Sequence, residues 1–271
     1  MIELTDEQYL ELVAYIKLRF GIHLGMQKRN LVKGRMQRIF SRHGFEGFKT
    51  YYAYLTQDVT GKADDELVNA ITTNHTYFMR EVSHFDLFAK EVLPFLYQTV
   101  KNHDLRIWCA ACSTGEEAYT LAMLIADFFA TKKENWDTKL LATDISSEVL
   151  QQAQKGIYLN TDFQSLPESW RRQYFTRCDV EHYQIKSQVK AGVIFRQFNL
   201  MEEVFPFKKK FHTIFCRNVM IYFDDATIKN LIKKFYDLLE PGGYLFIGHS
   251  EVLERGTTSF RYVSPAVYRK G

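Results

Sequence analysis

The 271-residue sequence has few cysteines, almost no excess of one charge and no long apolar run. Four cysteines in a chain of this length do not form the disulfide framework of a small secreted domain. The 35 basic residues nearly balance the 32 acidic ones, which disfavours a general nucleic-acid binder. The apolar stretch at 121–129 is interrupted by Asp127 and is far too short to span a bilayer. The residues after Met1 are acidic where a signal peptide has a basic region, so we expect a soluble cytoplasmic protein.

Aromatic and aliphatic side chains are abundant enough to build a large core. Hydrophobic residues make up 46 % of the chain and aromatic residues 15 %, and this composition excludes a disordered chain. The length allows one large domain, or a small domain attached to a medium one, and either can bury most of the apolar surface of the unfolded chain.

The first seventy or so residues predict a small helical domain. Apolar residues follow a helical spacing in a segment that Thr5 can cap and Gly21 can end. Further helices are predicted at 28–43, at 47–55 and at 64–74. Because no strand-like alternation of apolar and polar residues precedes residue 100, we expect this part of the chain to contain no sheet.

Beyond residue 100, apolar strands alternate with helical segments, which indicates βαβ units and a doubly wound parallel sheet. We therefore divide the chain into a helical domain at 1–72, a linker at 73–95 and an α/β domain at 96–271. The interval 173–189 fits neither the strand nor the helix pattern of the α/β domain. Its alternation suggests a short antiparallel excursion, which we place near 173–192.

The first turn of the α/β domain carries the strongest sign of a ligand site. In open α/β sheets, ligands bind beyond the carboxyl ends of the strands. The turn AACSTGEE at 110–117 has small residues but lacks the Gly-x-Gly-x-x-Gly pattern of dinucleotide-binding proteins. Glu116 and Glu117 would repel a pyrophosphate and attract a cation. They favour a cofactor with a cationic head and no phosphate, such as S-adenosylmethionine, although acids also simply stabilise a helix N-terminus.

Polar residues end the next predicted strands on the same edge of the sheet. Asp144 ends the second strand, where an acid typically accepts hydrogen bonds from both ribose hydroxyls of a cofactor. A lone Asp at this place could equally cap the following helix. Asn199 and Asn218 end the next two strands. Since these strand ends meet at one edge, their polar residues together favour a cofactor site.

Cys109 and Cys112 have the Cys-x-x-Cys spacing that occurs in redox and zinc sites. Cys178 and Cys216 are isolated in the sequence, and no histidine lies close to the pair. Cys109 belongs to an apolar strand, and Cys112 to a tight turn that needs a small side chain. We therefore expect neither a disulfide nor a metal there, and we predict no metal site for this protein.

The second predicted helix is basic on one side. Lys28, Arg35, Arg38 and Arg42 recur at spacings that place side chains on a common helical face. Such a face is usually only solvated. The alternative is docking to an acidic partner helix, in which the charges provide steering and register.

Five segments of the chain, taken in order, resemble the chemotaxis receptor glutamate methyltransferases, the CheR family. They are TTNHTYFMRE at 72–81, WCAACSTGEE at 108–117, ATDIS at 142–146, FCRNVMIYFD at 215–224 and PGGYLFIGHSE at 241–251. The resemblance covers nearly the whole chain, and the segments occur in the family's order, which makes the match specific.

The resemblance implies an N-terminal all-helical domain and then a doubly wound, Rossmann-like methyltransferase domain with a short antiparallel β-subdomain. The implied reaction moves a methyl group from S-adenosylmethionine to glutamate carboxylates of methyl-accepting chemotaxis receptors and leaves S-adenosylhomocysteine. Arg80 and Tyr222 would flank the transferred methyl group as catalytic residues. The cofactor contacts implied by motif are Asn74, Thr76, Arg80, Glu116 or its neighbour Glu117, Asp144, Asn199, Leu200, Arg217 and Asn218.

The implied partner is the cytoplasmic helical region of the receptors, with Arg35, Arg38 and Arg42 as candidate docking residues. Members that bind a tethering peptide from the receptor C-terminus have a longer, glycine-containing loop in the β-subdomain. Here the corresponding segment, 177–183, is compact and lacks glycine, which argues against such tethering. We expect no nucleic-acid partner, no direct membrane insertion and a monomer.

Three other functions compete with this interpretation. A nucleic-acid N-methyltransferase commonly has an Asn-Pro-Pro-Tyr motif where this chain has NVMIY at 218–222. A non-enzymatic adaptor that binds the cofactor and the receptors would keep the acidic turn and Asp144, but it would not need Arg80 or Tyr222. A dehydrogenase is disfavoured because it needs the Gly-x-Gly-x-x-Gly pattern.

Overall fold

Helices follow one another without a strand up to residue 106 of the part of the chain that the structure describes. The computed structural model describes residues 4–253 and 258–271. Its first helices are α1 (Asp6–Phe20), α2 (Arg29–His43), α3 (Phe48–Gln57) and α4 (Lys62–Ile71), with a 3₁₀ turn at Met26–Lys28. Their apolar faces enclose a core of their own, which includes the fully buried Tyr9, Leu12 and Tyr51. This confirms the all-helical N-terminal domain.

The first and last residues of these helices depend on local sequence to different degrees. Thr5 and Gln8 form a capping box at the start of α1, with each side chain accepting a hydrogen bond from the other residue's backbone N–H. Gly21 ends the helix in the left-handed region, with φ at 72°. By contrast, α4 ends at Ile71, earlier than the predicted residue 74, because Thr72 turns into extended backbone.

The segment expected to be a linker is largely helical. It contains α5 (Val82–Leu87), a π-helical turn (Phe88–Val92) and α6 (Leu93–Thr99). The buried rings of Phe85 and Phe88 belong to the core of the α/β domain. The non-helical connection is therefore residues 72–81, shorter than the expected 73–95, because the apolar face of 82–99 is covered by the sheet domain.

The α/β domain is built on a sheet whose seven described strands run in the order β6-β2-β1-β7-β8-β10-β9. Pairs from β6 to β8 are parallel, and β10 pairs antiparallel with β8 and β9. The strands are β1 (Ile107–Ala110), β2 (Leu140–Asp144), β6 (Val193–Gln197), β7 (Phe211–Cys216), β8 (Leu239–Ile247), β9 (Phe260–Ser264) and β10 (Val267–Lys270).

Helices cover both faces of this sheet, as a doubly wound fold requires. Cys109 faces the core formed with α7 (Glu116–Phe129) and the 82–99 helices. The adjacent Trp108 faces the opposite core, formed with α11 (Asp225–Leu238). The predicted α/β domain is thus confirmed. Among residues 4–253 and 258–271, no helix is long and apolar enough to cross a membrane.

A second, small sheet projects from the α/β domain in the antiparallel order β3-β5-β4. Its strands are β3 (Ile157–Leu159), β4 (Phe175–Arg177) and β5 (His182–Ile185), and helix α9 (Glu168–Tyr174) contacts β4. The neighbouring helices α8 (Ser147–Lys155) and α10 (Ser187–Lys190) pack on the α/β domain instead. The antiparallel insert is confirmed, but it begins before the predicted interval 173–192, since β3 pairs with β5. The ring of Phe78, from the connecting segment, packs on Tyr158, Phe163 and Phe175.

Candidate active site at the carboxyl edge of the sheet

A cleft lies at the carboxyl ends of the parallel strands, between the helical domain and the sheet. Its empty volume, counting the open mouth, is about 1290 Å³. Of the predicted site residues, the cleft is lined by Asn74, Thr76, Arg80, Asp144, Asn199, Leu200, Arg217, Asn218, Tyr222 and Arg35. Glu117 lines it as well, and Glu116 does not.

The turn after β1 is tight because several of its residues have left-handed backbone conformations. Ala111 and Ser113 have φ angles of 67° and 49°, and Gly115 has φ at 99°. A Cβ atom at Gly115 would lie 2.9 Å from the Cβ atom of Ala153, so this position needs glycine for both its conformation and its packing. The winding aims the Ser113 N–H at the carboxylate of Asp144, at 2.8 Å.

Asp144 presents a buried carboxylate to the cleft. Its Oδ2 accepts from Ser113 N at 2.8 Å, and its Oδ1 accepts from Ser146 N at 3.0 Å. Burial raises the pKa of this carboxyl, although the backbone hydrogen bonds oppose the shift. Helix α8 is capped by the side chain of Ser146, which accepts from Val149 N at 3.2 Å. The capping alternative for Asp144 is thus not needed, and each of its oxygens keeps a lone pair for a ligand.

The two glutamates at the start of α7 point in different directions. Glu116 is only 4 % exposed, and its two carboxylate oxygens accept from the Thr114 hydroxyl at 2.9 and 2.7 Å. Glu117 lines the cleft, since successive residues are about 100° apart on a helix. Of the two glutamates that the sequence left open for the cofactor contact, Glu117 therefore lies at the cleft and Glu116 does not.

Burial raises the pKa of Glu116 to about 7, and the nearby Asp162 adds to this shift. A carboxyl whose pKa is raised on folding stabilises the fold fully below its ordinary value of 4.5, and this stabilisation is lost as pH rises through about 7. From pH 5 to 8 we expect wild type to lose on the order of 3 kcal/mol more stability than Glu116→Gln. Urea unfolding at the two pH values measures this difference.

The matched control is Glu148→Gln, which changes an exposed glutamate of α8 and should leave the pH dependence as in wild type. If Glu116→Gln and Glu148→Gln lose stability equally between pH 5 and 8, the buried carboxyl does not govern this part of the pH profile.

Arg217 holds together the parts of the site that surround it. Its side chain is 1 % exposed and pairs with Glu117 at 2.5 Å and with Glu81 at 2.9 Å. It also donates to the backbone carbonyl of Arg80. Burial alone would lower the pKa of Arg217, but the two carboxylates raise it above its ordinary value. Its guanidinium therefore makes its contacts inside the protein and joins the start of α7 to the segment that carries Arg80.

Asn218 is held in the left-handed region, with φ at 58°, by two glutamates. Its side-chain amide donates to Glu81 Oε1 at 3.1 Å. Its backbone N–H donates to Glu251, which also accepts from the N–H groups of Met220, Ile221 and Gly248. Sequence reasoning assigned no role to Glu81 or Glu251. Both stand inside motif segments, but their partners are distant in sequence.

Arg80 and Tyr222 both line the cleft and come from different segments of the chain. Arg80 donates to the backbone carbonyl of His75 at 2.8 Å, and it has no ion pair within the described part of the chain. The Tyr222 hydroxyl donates to the Thr73 carbonyl at 3.5 Å, which is a weak contact. Arg80 therefore offers a positive charge that no described carboxylate neutralises.

Comparison with known proteins agrees with this division of the chain. Residues 7–72 match the model of the CheR methyltransferase all-alpha domain, and residues 74–268 match that of the CheR methyltransferase SAM-binding domain. The chain belongs to the CheR methyltransferase family. The resemblance inferred from the five sequence segments is thereby confirmed.

Two relatives of the CheR family illustrate how complete the match is. The chemotaxis protein methyltransferase of Borreliella burgdorferi is 40 % identical over 99 % of this chain and 96 % of its own length. That of Escherichia coli is 34 % identical over 98 % of this chain and 91 % of its own length. A solved glycopeptide N-methyltransferase, MtfA, is 17 % identical with a TM-score of 0.33, over 61 % of this chain and 59 % of that chain.

The chemistry of the cleft fits the S-adenosylmethionine that the family model implies. The buried carboxylate of Asp144 suits the two ribose hydroxyls, and Glu117 suits the α-ammonium group. The start of α7 offers acids rather than a phosphate-binding nest, which agrees with a cofactor that has no phosphate. The residues that line the cleft therefore fit the cofactor on chemical grounds.

Asn199 joins the two domains of this CheR-family protein as well as lining the cleft. Its amide donates to the carbonyl of Arg19, at the end of α1, at 2.7 Å, and its Oδ1 accepts from Met201 N at 2.9 Å. Leu200 is buried beside it. Asn74 and Thr76 also line the cleft, and the Asn74 amide makes one long contact to the Thr72 hydroxyl at 3.4 Å.

The basic face of α2 divides between two environments. Arg35 lines the cleft and donates to the carbonyls of Ile71 and Thr72 and to the Thr73 hydroxyl, so it holds the connecting segment in place. Arg38 is exposed, with neither a hydrogen bond nor an ion pair in the part of the chain that the structure describes. Arg42 is exposed and lies 3.4 Å from Glu66. Arg35 is thus committed to internal contacts, Arg42 pairs with Glu66, and Arg38 is exposed without a described partner.

The four cysteines are all free in the structure. Cys109, Cys112 and Cys216 are buried, and burial raises the pKa of each of these thiols well above its ordinary value. Cys178 is exposed and stands apart from the others. Protonated, buried thiols pack as small apolar side chains and are poor nucleophiles.

Proposed function

We propose that this protein transfers the methyl group of S-adenosylmethionine to glutamate side-chain carboxylates of chemotaxis receptors, forming methyl esters. The observation that carries the proposal is the guanidinium of Arg80, which lines the cleft without an ion pair among the described residues. A carboxylate substrate is the natural partner of such a group. The names of the relatives, chemotaxis protein methyltransferases, support the chemotaxis context.

The acceptor group needs little activation. A glutamate carboxyl has an ordinary pKa of about 4.3, so it is ionised at neutral pH and needs no general base. Bound S-adenosylmethionine supplies a methyl group made electrophilic by its sulfonium. When a carboxylate oxygen bonds to that methyl carbon, the carbon–sulfur bond breaks and its electron pair stays on sulfur. The charges of the carboxylate and the sulfonium are thereby both removed.

The protein then contributes mainly alignment. Holding two reacting groups in line can supply about 7–11 kcal/mol of the barrier. Arg80 suits the role of orienting the acceptor carboxylate by charge-assisted hydrogen bonds. The Tyr222 hydroxyl makes only a long contact to the Thr73 carbonyl. It can therefore donate a hydrogen bond to the acceptor carboxylate or to another group near the methyl group. Asp144 and Glu117 also line the cleft and suit the role of holding the cofactor there.

The protein substrate would approach over the helical domain. The exposed Arg38 and Arg42 on α2 suit an acidic receptor helix, where surface charges mostly increase the rate of encounter. Arg35, which holds the connecting segment, is set aside as a docking residue. Binding of a receptor tethering peptide is not part of the proposal, because the small sheet has the compact segment 177–183.

The decisive experiment incubates the purified protein with S-adenosylmethionine labelled in the methyl group and with receptor cytoplasmic fragments. We expect label on the fragment that is released by mild base, because carboxyl esters hydrolyse under conditions that leave N-methyl groups intact. Fragments with glutamine in place of the acceptor glutamates are the matched control. Label that resists base, or label in added nucleic acid, would favour an N-methyltransferase instead, and no label would favour the adaptor.

A second arm of the same assay tests the docking surface. Arg38→Glu should lower methylation of receptor fragments while leaving the affinity for S-adenosylhomocysteine unchanged, since Arg38 lies outside the cleft. The variant Lys49→Glu, which makes the same charge change on α3, is the control for a general charge effect. Equal losses in both variants would remove the assignment of α2 as the docking helix.

A further inference from the structure

Three potential metal ligands meet behind the segment that carries Arg80. Glu81, His84 and His249 each offer a ligand atom, and these atoms lie within 4.8 Å of one another. None of the three residues lines the cleft. They come from the start of α5 and from the loop after β8, which the fold brings together although they are far apart in sequence.

His84 presents a nitrogen that is ready to act as a ligand. Its ring is 2 % exposed, and its Nε2 lies 3.2 Å from the carbonyl oxygen of Pro265. Because a carbonyl only accepts hydrogen bonds, Nε2 carries the ring hydrogen and Nδ1 carries the lone pair. That Nδ1 is buried and has no hydrogen-bond partner within the described residues. Histidines that bind metals typically donate their other N–H to a backbone carbonyl in this way.

Glu81 and His249 supply the other two potential ligand atoms. Glu81 Oε2 lies 3.5 Å from His84 Nδ1. Ligand atoms in a tetrahedral zinc site are separated by about 3.3 Å, given bonds of about 2.0–2.1 Å. The ring of His249 is 4.5 Å from that of His84 between centroids, and it is exposed to solvent. Its exposure leaves it free to adjust and gives an ion a route of entry.

We propose that Glu81, His84 and His249 form a binding site for a divalent transition-metal ion such as Zn²⁺, with water as the fourth ligand. Two imidazoles and one carboxylate are a ligand set that zinc adopts in proteins. Nitrogen ligands favour this class of ion over Mg²⁺ or Ca²⁺, which prefer oxygen. The sequence-based expectation of no metal was argued from the cysteines. It did not consider this cluster, whose residues come from two distant parts of the sequence.

The charge of the surroundings permits such an ion. Glu81 also pairs with the buried Arg217, which would repel a cation if it stood alone. Glu117 lies 2.5 Å from the same guanidinium, so these three groups together carry one net negative charge. A divalent ion would leave the group with a single positive charge beside solvent-exposed His249. Glu81 Oε1 accepts from Asn218, and Oε2 accepts from Arg217 at 2.9 Å and from His249 N at 3.2 Å. The ion would share Oε2 with these donors, because Oε2 is the oxygen that lies beside His84 Nδ1.

The test titrates Co²⁺ as a spectroscopic substitute into the metal-free full-length protein. We expect one ion per chain, with a visible absorption band typical of nitrogen and oxygen ligands in low-symmetry coordination. His249→Gln should weaken binding at least about tenfold, because it removes one of three protein ligands. His23→Gln, at another exposed histidine, should bind Co²⁺ as wild type does.

Thermal unfolding with Zn²⁺ provides a second measurement that does not depend on methyl transfer. The ion should raise the unfolding temperature of wild type and of His23→Gln, but not that of His249→Gln, because a ligand that binds only the folded state stabilises it. Equal binding to wild type and His249→Gln would show an adventitious ion only and overturn the proposal. A sub-stoichiometric titration, with less than one ion per chain at saturation, would overturn it as well.

Discussion

Arg80→Ala is expected to lower the rate of methyl transfer by about two orders of magnitude or more, with the fold unchanged. The substitution removes the one predicted catalytic charge that faces the cleft without a described ion pair. Among the described residues, the Arg80 side chain makes one hydrogen bond, to the His75 carbonyl, so little of the stability of the protein depends on this side chain. Initial rates with receptor fragments, together with a urea unfolding curve, separate the two effects.

Arg80→Lys is the matched variant for this prediction. A lysine keeps the positive charge but cannot form the two parallel hydrogen bonds that a guanidinium offers to a carboxylate. We expect it to recover only part of the lost rate if Arg80 orients the acceptor. Full recovery would show that charge alone is enough, and turnover like that of wild type in Arg80→Ala would exclude the assigned role altogether.

Local sequence predicted the parts of the site that depend on one segment at a time. The turn after β1 and Asp144 at the end of β2 could be found because parallel strands place their carboxyl ends at one edge. The capping box at Thr5 and the αL glycine at Gly21 likewise act within a few residues. Such features depend on backbone geometry that a short stretch of sequence already determines.

Contacts between residues that are far apart in the sequence could not be predicted in this way. Glu81 and Arg217 meet across 136 positions, and no periodicity connects them. The choice between Glu116 and Glu117 needed the exact start of α7, where a difference of one residue turns a side chain from the cleft into the core. The contacts of Arg35 could not be predicted for a related reason, because the basic stripe on α2 gave no sign that Thr72 and Thr73 lie beside it.

Arg217→Met is expected to destabilise the protein by about 3–5 kcal/mol and also to weaken cofactor binding. The loss of the guanidinium leaves the half-buried Glu81 and Glu117 close together, each without its counter-charge. Repulsion between them would move both the start of α7 and the Arg80 segment, whose carbonyl Arg217 now holds. Urea unfolding measures the first effect, and calorimetry with S-adenosylhomocysteine measures the second.

Arg106→Met is the control that shows what the loss of a similar charge network does to stability when the cleft is left unchanged. Arg106 also joins two carboxylates, Asp104 at 2.9 Å and Glu240 at 2.7 Å, and it lies outside the cleft. Its substitution should therefore cost stability while leaving the affinity for S-adenosylhomocysteine unchanged. If Arg217→Met kept its affinity as well, Arg217 would serve the fold alone. If both variants lost affinity in proportion to stability, the cleft would be responding to global destabilisation instead. A selective loss in Arg217→Met is the expected result, because only that guanidinium connects Glu117 to the backbone of Arg80.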